Sequence, residues 1–281
     1  MSSDGWVLIP IQVGPTKLEA VIDFGARYSI LREAVAQELQ LKLVTFERES
    51  RFIFGGVAKY KSRAPLKFGN MSIGDTAFAV VQKPIGNDPR VAASLGVDVL
   101  TMFDVELDLA HGKVNLFAKN HCPGKVVYWT QSSPVSSVPL NFTAWDWLQI
   151  PVQVNGRYVA AVISPISEDV YVNPHHSVQN FGVEIHAPDL PVVDLDQIPM
   201  MPLGRSTPAI TLGLKTIAMG GITILNPTTH VFDCDDGAWS IERTACPDMP
   251  NIALGVSELK KIRVYLDFQD RMFYATVPDA N

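Results

Sequence analysis

The sequence predicts an all-β protein built as two similar lobes. Three observations predict it. Apolar stretches are short and rich in β-branched residues, three segments of the first half recur in order in the second, and a short polar stretch with prolines separates the two sets.

The repeats carry the most weight. "IPIQVGPTKLEAVID", Ile9 to Asp23, matches "IPVQVNGRYVAAVIS", Ile150 to Ser164. "PLKFGNMSIGDTAFAVV" parallels "AITLGLKTIAMGGITIL", with Phe68-Gly69 set against Leu212-Gly213. "SLGVDVLTMFDVELDLAHGKVNLFA" parallels "ALGVSELKKIRVYLDFQDRMFYAT", with Leu95-Gly96 opposite Leu254-Gly255. Two copies exclude a stacked solenoid, which needs at least three units, and suggest a pseudo-twofold pair with a cleft between. "SSPVSSVPL" serves as linker, so residues 1–135 form the lobe carrying Asp23 and residues 136–281 the lobe carrying Ser164.

Within each half the elements follow from local pattern. "WVLIPIQV" and "KLEAVID" are strands joined by a tight "GPT" turn. "REAVAQELQL" has a helical apolar stripe at Ala34, Val35 and Leu39, and "NPHHSVQNF" has Asn173 as N-cap and Pro174 in the first turn. "DVELDL-AHG-KVNLF" and "IRVYLDF-QD-RMFYATV" are closing hairpins.

Bulk composition narrows the function. The chain has 281 residues, 47% hydrophobic and 19% charged, enough for two lobes with their own cores. A formal charge of −6 with no basic block argues against nucleic acid, and no apolar run is long enough to cross a bilayer. "MSSDGW" lacks the basic and apolar regions of a signal peptide. Cys234 and Cys246 flank a loop short enough for a disulfide, which would contribute about 3 kcal/mol; two reduced cysteines are the alternative, and Cys122 is left over. The bridge would suit a periplasmic or secreted location. Asn70 and Asn141 begin glycosylation sequons, relevant only in a glycosylating secretory route.

"VIDFGARYSIL" and "ASLGVDVL" resemble two motifs of the aspartic peptidases, both retroviral and pepsin types, and the likeness spans nearly the whole chain. Members carry an apolar strand ending in Asp-Thr/Ser-Gly-Ala/Ser and a later hydrophobic-hydrophobic-Gly segment beneath it. Asp23, Gly25, Ala26 and Ser29 fall on family positions, and the chain is most similar to bacterial retropepsin-like proteins with two fused lobes. The resemblance implies a bilobal acid-protease fold with a cleft between lobes. It also implies a pair of aspartates sharing a proton, one acting as base on water and the other as acid on the carbonyl.

The second lobe departs from that pattern. Ser164, Pro165, Ile166 and Ser167 stand where Asp, Thr, Gly and Ala/Ser are expected, and Phe24 replaces the Thr of the first motif. A serine hydroxyl does not titrate near neutral pH, so Asp23 would be alone. Loss of one acid–base group costs about 10² to 10⁴ in rate. Three functions follow as expectations: a peptide or small-ligand binder without ordinary peptidase activity, a repurposed enzyme using Asp23 as sole acid or base, or an endopeptidase with an unrecognised second carboxylate. Glu168 and Asp169 oppose Arg27 and Tyr28 on the outward side of the loop. A fused second lobe occupies the surface at which another copy would pair, so a monomer is expected.

Other candidates are weighed against ordinary packing. "FIFGGVAKY" falls where the family has its flap, with Gly55-Gly56 as turn and Phe52, Phe54 or Tyr60 over a ligand; an ordinary surface hairpin is the equal alternative. In "HAPDLPVVDLDQIPMMPLGRSTP", Met200 and Met201 suit an adaptable pocket, but a structureless loop is preferred. His175-His176 lack a third ligand, so no metal and no cofactor is expected. Trp145 and Trp147 suit packing. Arg27 either pairs with Asp23 or faces solvent.

Overall fold

The computed structural model describes residues 1–3, 5–51, 57–82, 85–119, 126–130, 134–142, 147–173, 192–195, 207–232 and 251–278. Among them the chain is mostly strand, arranged as two barrel-like sheets with a third sheet shared between the halves.

The first barrel begins with β1 (Leu8–Val13) and β2 (Thr16–Ile22), joined at Gly14, whose φ is +56°. Along β1, Ile9, Ile11 and Val13 are buried and alternate with more exposed Pro10 and Gln12, as a one-face-buried strand requires. Then follow β3 (Ile30–Arg32), the short helix α1 (Glu33–Glu38), β4 (Val44–Arg51), β5 (Val57–Phe68), β6 (Met71–Val81) and β7 (Val91–Leu95). The sheet order is β1-β2-β7-β3-β6-β5-β4, and a β1–β5 pairing closes it. β7 is buried along its whole length, parallel to β2 and antiparallel to β3. α1 stops earlier than its apolar stripe suggests because Gln40 turns to φ +52°.

A helical turn, α2 (Val97–Leu100), leads to β8 (Phe103–Asp108) and β9 (Lys113–Ala118). The second half runs β10 (Ser136–Pro139), β11 (Asn141–Phe142), β12 (Leu148–Val154), β13 (Arg157–Ile163), β14 (Val170–Val172), β15 (Val192–Leu195), β16 (Thr207–Leu212), β17 (Thr216–Met219), β18 (Ile222–Leu225), β19 (Thr229–Phe232), β20 (Ile252–Leu254), α3 (Val256–Leu259), β21 (Arg263–Asp267) and β22 (Met272–Thr276). Its sheet repeats the first wiring: β13 pairs parallel with β20, β14 antiparallel with β20 and parallel with β19, and β17 meets β12 as β5 meets β1.

The third sheet, β10-β22-β21-β8-β9, draws strands from both halves. Its central contact pairs β8 with β21 antiparallel, Leu107 opposite Val264 and Val105 opposite Leu266. All four side chains are buried in an apolar cluster that runs continuously from Val7 to Ala275, so the halves share a core.

Three sequence expectations need correction. Part of the expected linker, Ser136–Pro139, is a strand paired with β22. Part of the stretch expected to be structureless is also a strand, since Val192–Leu195 pairs with β16. The second internal match is out of register. Gly14 donates its N–H to Pro65 O and Asn155 donates to Thr216 O, while Gln12 pairs with Lys67 and Gln153 with Ala218. The Phe68-Gly69 turn therefore corresponds to Met219-Gly220. Leu212-Gly213 opens a break between β16 and β17 that continuous β5 lacks.

Candidate functional site

The ends of β2 and β13 are built alike. Ile22 pairs with Leu95 and Ile163 with Leu254 in parallel register. The next residue extends each ladder: Asp23 N–H donates to Leu95 O and Ser164 N–H to Leu254 O, both at 3.0 Å. A tight turn follows, in which Ala26 N–H donates to Asp23 O and Ser167 N–H to Ser164 O. The turns rest on the Leu-Gly segments through Val97 N–H to Ala26 O and Val256 N–H to Ser167 O. Two glycines permit that closeness: a Cβ on Gly96 would stand 2.7 Å from Ala26 O, and one on Gly255 would stand 2.6 Å from Asp169 C.

The loops also cross between halves. Leu148 N–H donates to Phe24 O at 3.2 Å, and Val7 N–H donates to Pro165 O at 3.1 Å. These bonds are mates: the sequence offset that carries Asp23 onto Ser164 also carries Val7 onto Leu148 and Phe24 onto Pro165. Side chains cross as well. Phe24, 1% exposed, packs against Phe268, and Ile166 joins a first-half cluster containing Trp6, Val21, Ile30, Ala79 and Ile85. Phe24 is thus part of the core joining the halves.

Asp23 is 1% exposed. Side chains alternate along β2, with Ala20 and Ile22 in the shared core and Val21 in the cluster holding Ile166. Asp23 follows Val21 onto that second face. Its Oδ1 accepts from Gly25 N–H at 2.8 Å, while its buried Oδ2 has no hydrogen-bond partner among the described residues. Burial pushes the carboxyl from an ordinary 3.8 up to about 7, against the pull of the Gly25 and Ala26 N–H groups. At the matching position, Ser164 Oγ lies 2.7 Å from Ser167 Oγ, so one of the two hydroxyls donates to the other.

The remaining candidates sit elsewhere. Arg27 lies over the Tyr28 ring, 5.4 Å from its centroid, and Tyr60 is half-buried against the shared core. Asp169 Oδ2 is 3.1 Å from His230 Nε2, and Glu168 lies beside Gly5. Strands β4 and β5 pair up to Arg51–Val57, as a flap hairpin requires, but Phe52, Phe54, Gly55 and Gly56 lie outside the described residues. So do the three cysteines, His175, His176, Met200, Met201 and Trp145.

Sequence reasoning missed Asp98. Its Oδ1 accepts from both Ser29 N–H and Ser29 Oγ, and Ser29 Oγ accepts from Gly96 N–H, pinning the Asp23 turn to the Leu-Gly segment. The signal was an acid inside the apolar run "LGVDVL". The His230–Asp169 contact carried no such signal, since it joins residues far apart in sequence. Among the described residues no three His, Cys, Asp or Glu side chains gather as a metal site would need, and no helix is long and apolar enough to cross a membrane. A groove of about 550 Å³ lies on the first barrel, lined by Leu18, Glu19, Arg32, Val35, Glu38 and Arg90 among others, none of them in the Asp23 loop. No protein-family model matches the chain, and no curated protein matches it.

Proposed function

We propose that this is an aspartic-peptidase-like protein that has lost its second acid and binds a peptide or small ligand between its two halves. The observation carrying this reading is the asymmetry inside a symmetric frame: Asp23 and Ser164 hold equivalent backbone positions, yet only one titrates. Amide hydrolysis by this type of site needs a base for water and an acid for the carbonyl at once. One carboxyl supplies either but not both, and the Ser164 hydroxyl is paired with Ser167. Among the described residues Asp23 Oδ2 has no hydrogen-bond partner, so none of their carboxylates pairs with it as a second acid.

The test is incubation of the protein with denatured protein substrate and a peptide mixture across acid to neutral pH, with binding followed in parallel. Peptide affinity without turnover is the expected result. Pepstatin-sensitive cleavage that disappears in Asp23→Asn would refute it.

One observation favours a second reading, in which Asp23 alone serves as general acid or base for an isomerisation, cyclisation or easy hydrolysis. A carboxyl raised to about 7 is matched to proton transfer at neutral pH.

A further inference from the structure

The groove of about 550 Å³ on the first barrel is bordered by α1, the β1–β2 hairpin and the start of β7. Its volume falls in the range of small-molecule sites, roughly 300–1,000 Å³. The β2–β7 ladder slips by one residue here. Glu19 pairs with Val91 and Ala20 with Ala93, so Ala92 is left unpaired and lines the groove. Such bulges concentrate next to active sites, where they re-aim side chains.

Two arginines border the groove, and their forks differ. Arg90 Nε donates to Asp88 Oδ1 at 3.1 Å and its Nη2 to Asp88 Oδ2 at 2.6 Å, so a carboxylate of the chain fills that fork. Arg32 is held by its third nitrogen: Nη1 donates to Pro89 O at 3.0 Å and to Val91 O at 3.3 Å. Its Nε and Nη2, the edge that grips a carboxylate through two parallel bonds, have no partner among the described residues. One acid is left over as well. Glu19 lines the groove with its side chain 42% exposed, and its Oε2 lies 3.7 Å from Arg90 Nη1 with no hydrogen-bond partner among the described residues. Leu18 and Val35 add apolar wall between these charges. The second half keeps the frame without the charges. At the offset that carries Asp23 onto Ser164, Pro10 and Leu18 become Pro151 and Val159, whereas Lys17, Glu19 and Arg32 become Tyr158, Ala160 and Asn173. The fold therefore does not need these ionic groups.

We infer that this groove binds a free α-amino acid with an apolar side chain. The ligand carboxylate takes the empty fork of Arg32, its ammonium pairs with Glu19, and its side chain lies on Leu18 and Val35. A dianion would set its second charge against Glu19 and Glu38, and a simple amine would leave the Arg32 fork unfilled. The site is separate from the Asp23 loop and does not depend on a ligand between the halves.

The test is NMR titration of the full chain at neutral pH with three probes: L-phenylalanine, N-acetyl-L-phenylalanine, which lacks the ammonium, and L-phenylalaninamide, which lacks the carboxylate. Phenylalanine is expected to shift the amides of Ala34, Val35 and Ala92 saturably, and each of the other probes to bind about tenfold or more weakly. Arg32→Gln is expected to weaken phenylalanine by about ten- to a hundredfold and to abolish its advantage over the amide. Arg32 also holds two backbone carbonyls, so Ala34→Trp serves as a second variant: this exposed α1 residue borders the groove, and the indole is expected to block all three probes. Equal affinity for the three probes overturns the assignment of Arg32 and Glu19. Shifts centred on Gly25 and Ala26, or no saturable shift with phenylalanine, overturn the site itself, while leaving the reading of the Asp23 loop untouched.

Discussion

The ring of Phe24 lies against the ring of Phe268, centroids 6.4 Å apart, joining the Asp23 loop to the end of β21 in the other half. Phe268 in turn stacks on Phe142 at 6.3 Å. Phe24 stands where the resembled motif has Thr, and here an aromatic contact joins the loop to the other half. Phe24→Ala is expected to destabilise the protein by roughly 3–5 kcal/mol, through lost transfer energy plus the cavity left behind. Phe24→Thr should cost a similar amount, because the returning hydroxyl meets aromatic rings. Urea unfolding at fixed pH measures both, and a loss below about 1 kcal/mol would show that the site is not tightly packed.

Asp23 should make stability depend on pH in an unusual direction. Its folded value, about 7, lies above its ordinary value of 3.8. Between the two the folded chain holds a proton that the unfolded chain has released, so this residue's contribution falls as pH rises from about 4 to about 7 and is level above that. A shift of this size corresponds to roughly 4 kcal/mol. Asp23→Asn is therefore expected to match the natural chain near pH 4 and to exceed it in stability by a few kcal/mol at pH 8. Comparing the two by denaturant titration cancels the acids that behave in the ordinary way, such as Asp88, which Arg90 holds well below the usual carboxylate range. A variant less stable at pH 8 would contradict the assignment.

How much of this was legible in the sequence depended on the reach of each signal. The β1–β2 and Leu-Gly matches were readable because they encode local geometry: alternation, a tight turn, and a glycine where backbones nearly touch. The middle match failed because a Phe-Gly or Leu-Gly pair marks either a hairpin turn or a strand break, and only cross-strand bonds from Gly14 and Asn155 separate the two. That Ser164 takes the backbone position matching Asp23 could be read from the repeat. The burial of Asp23 and the Ser164–Ser167 bond could not, since both depend on how the halves meet. The exchange of Phe24 and Ile166 was likewise invisible, although each departs from the motif.

Gly96 offers a check on the loop support. Its φ is −89°, so any residue could adopt its backbone, and its requirement is purely one of space. A methyl there would meet Ala26 O at 2.7 Å and Tyr28 C at 2.8 Å, both backbone atoms of the Asp23 turn. Gly96→Ala is expected to cost roughly 1–3 kcal/mol or more as overpacking, and to displace Asp23. Amide exchange at Val97, whose N–H donates to Ala26 O, reads the displacement separately from global stability. Unchanged protection there would mean that the turn does not rest on Gly96.

The shared sheet carries a buried ion pair that should decide how firmly the halves are held. Glu106 on β8 is fully buried, and its Oε1 accepts from Arg263 Nε on β21 at 2.7 Å. Its Oε2 accepts from Tyr128 Oη at 2.6 Å and Asn115 Nδ2 at 3.1 Å. The Arg263 guanidinium also sits 4.5 Å from the Trp129 ring centroid. Burial pushes the Tyr128 hydroxyl up to about 12, with Glu106 adding to the shift, so it stays a donor at any working pH. Removing Arg263 alone leaves a buried carboxylate with neutral donors only, and Arg263→Met is expected to cost roughly 3–5 kcal/mol. Glu106→Gln in the same chain removes the stranded charge and should recover part of that loss, because a desolvated pair is worth less than the penalty for breaking it. Tyr128→Phe, which removes one donor from a satisfied network, should cost about 1–3 kcal/mol. A double-mutant cycle over Glu106 and Arg263 measures the coupling, and strictly additive losses would mean that the two side chains hold the halves independently.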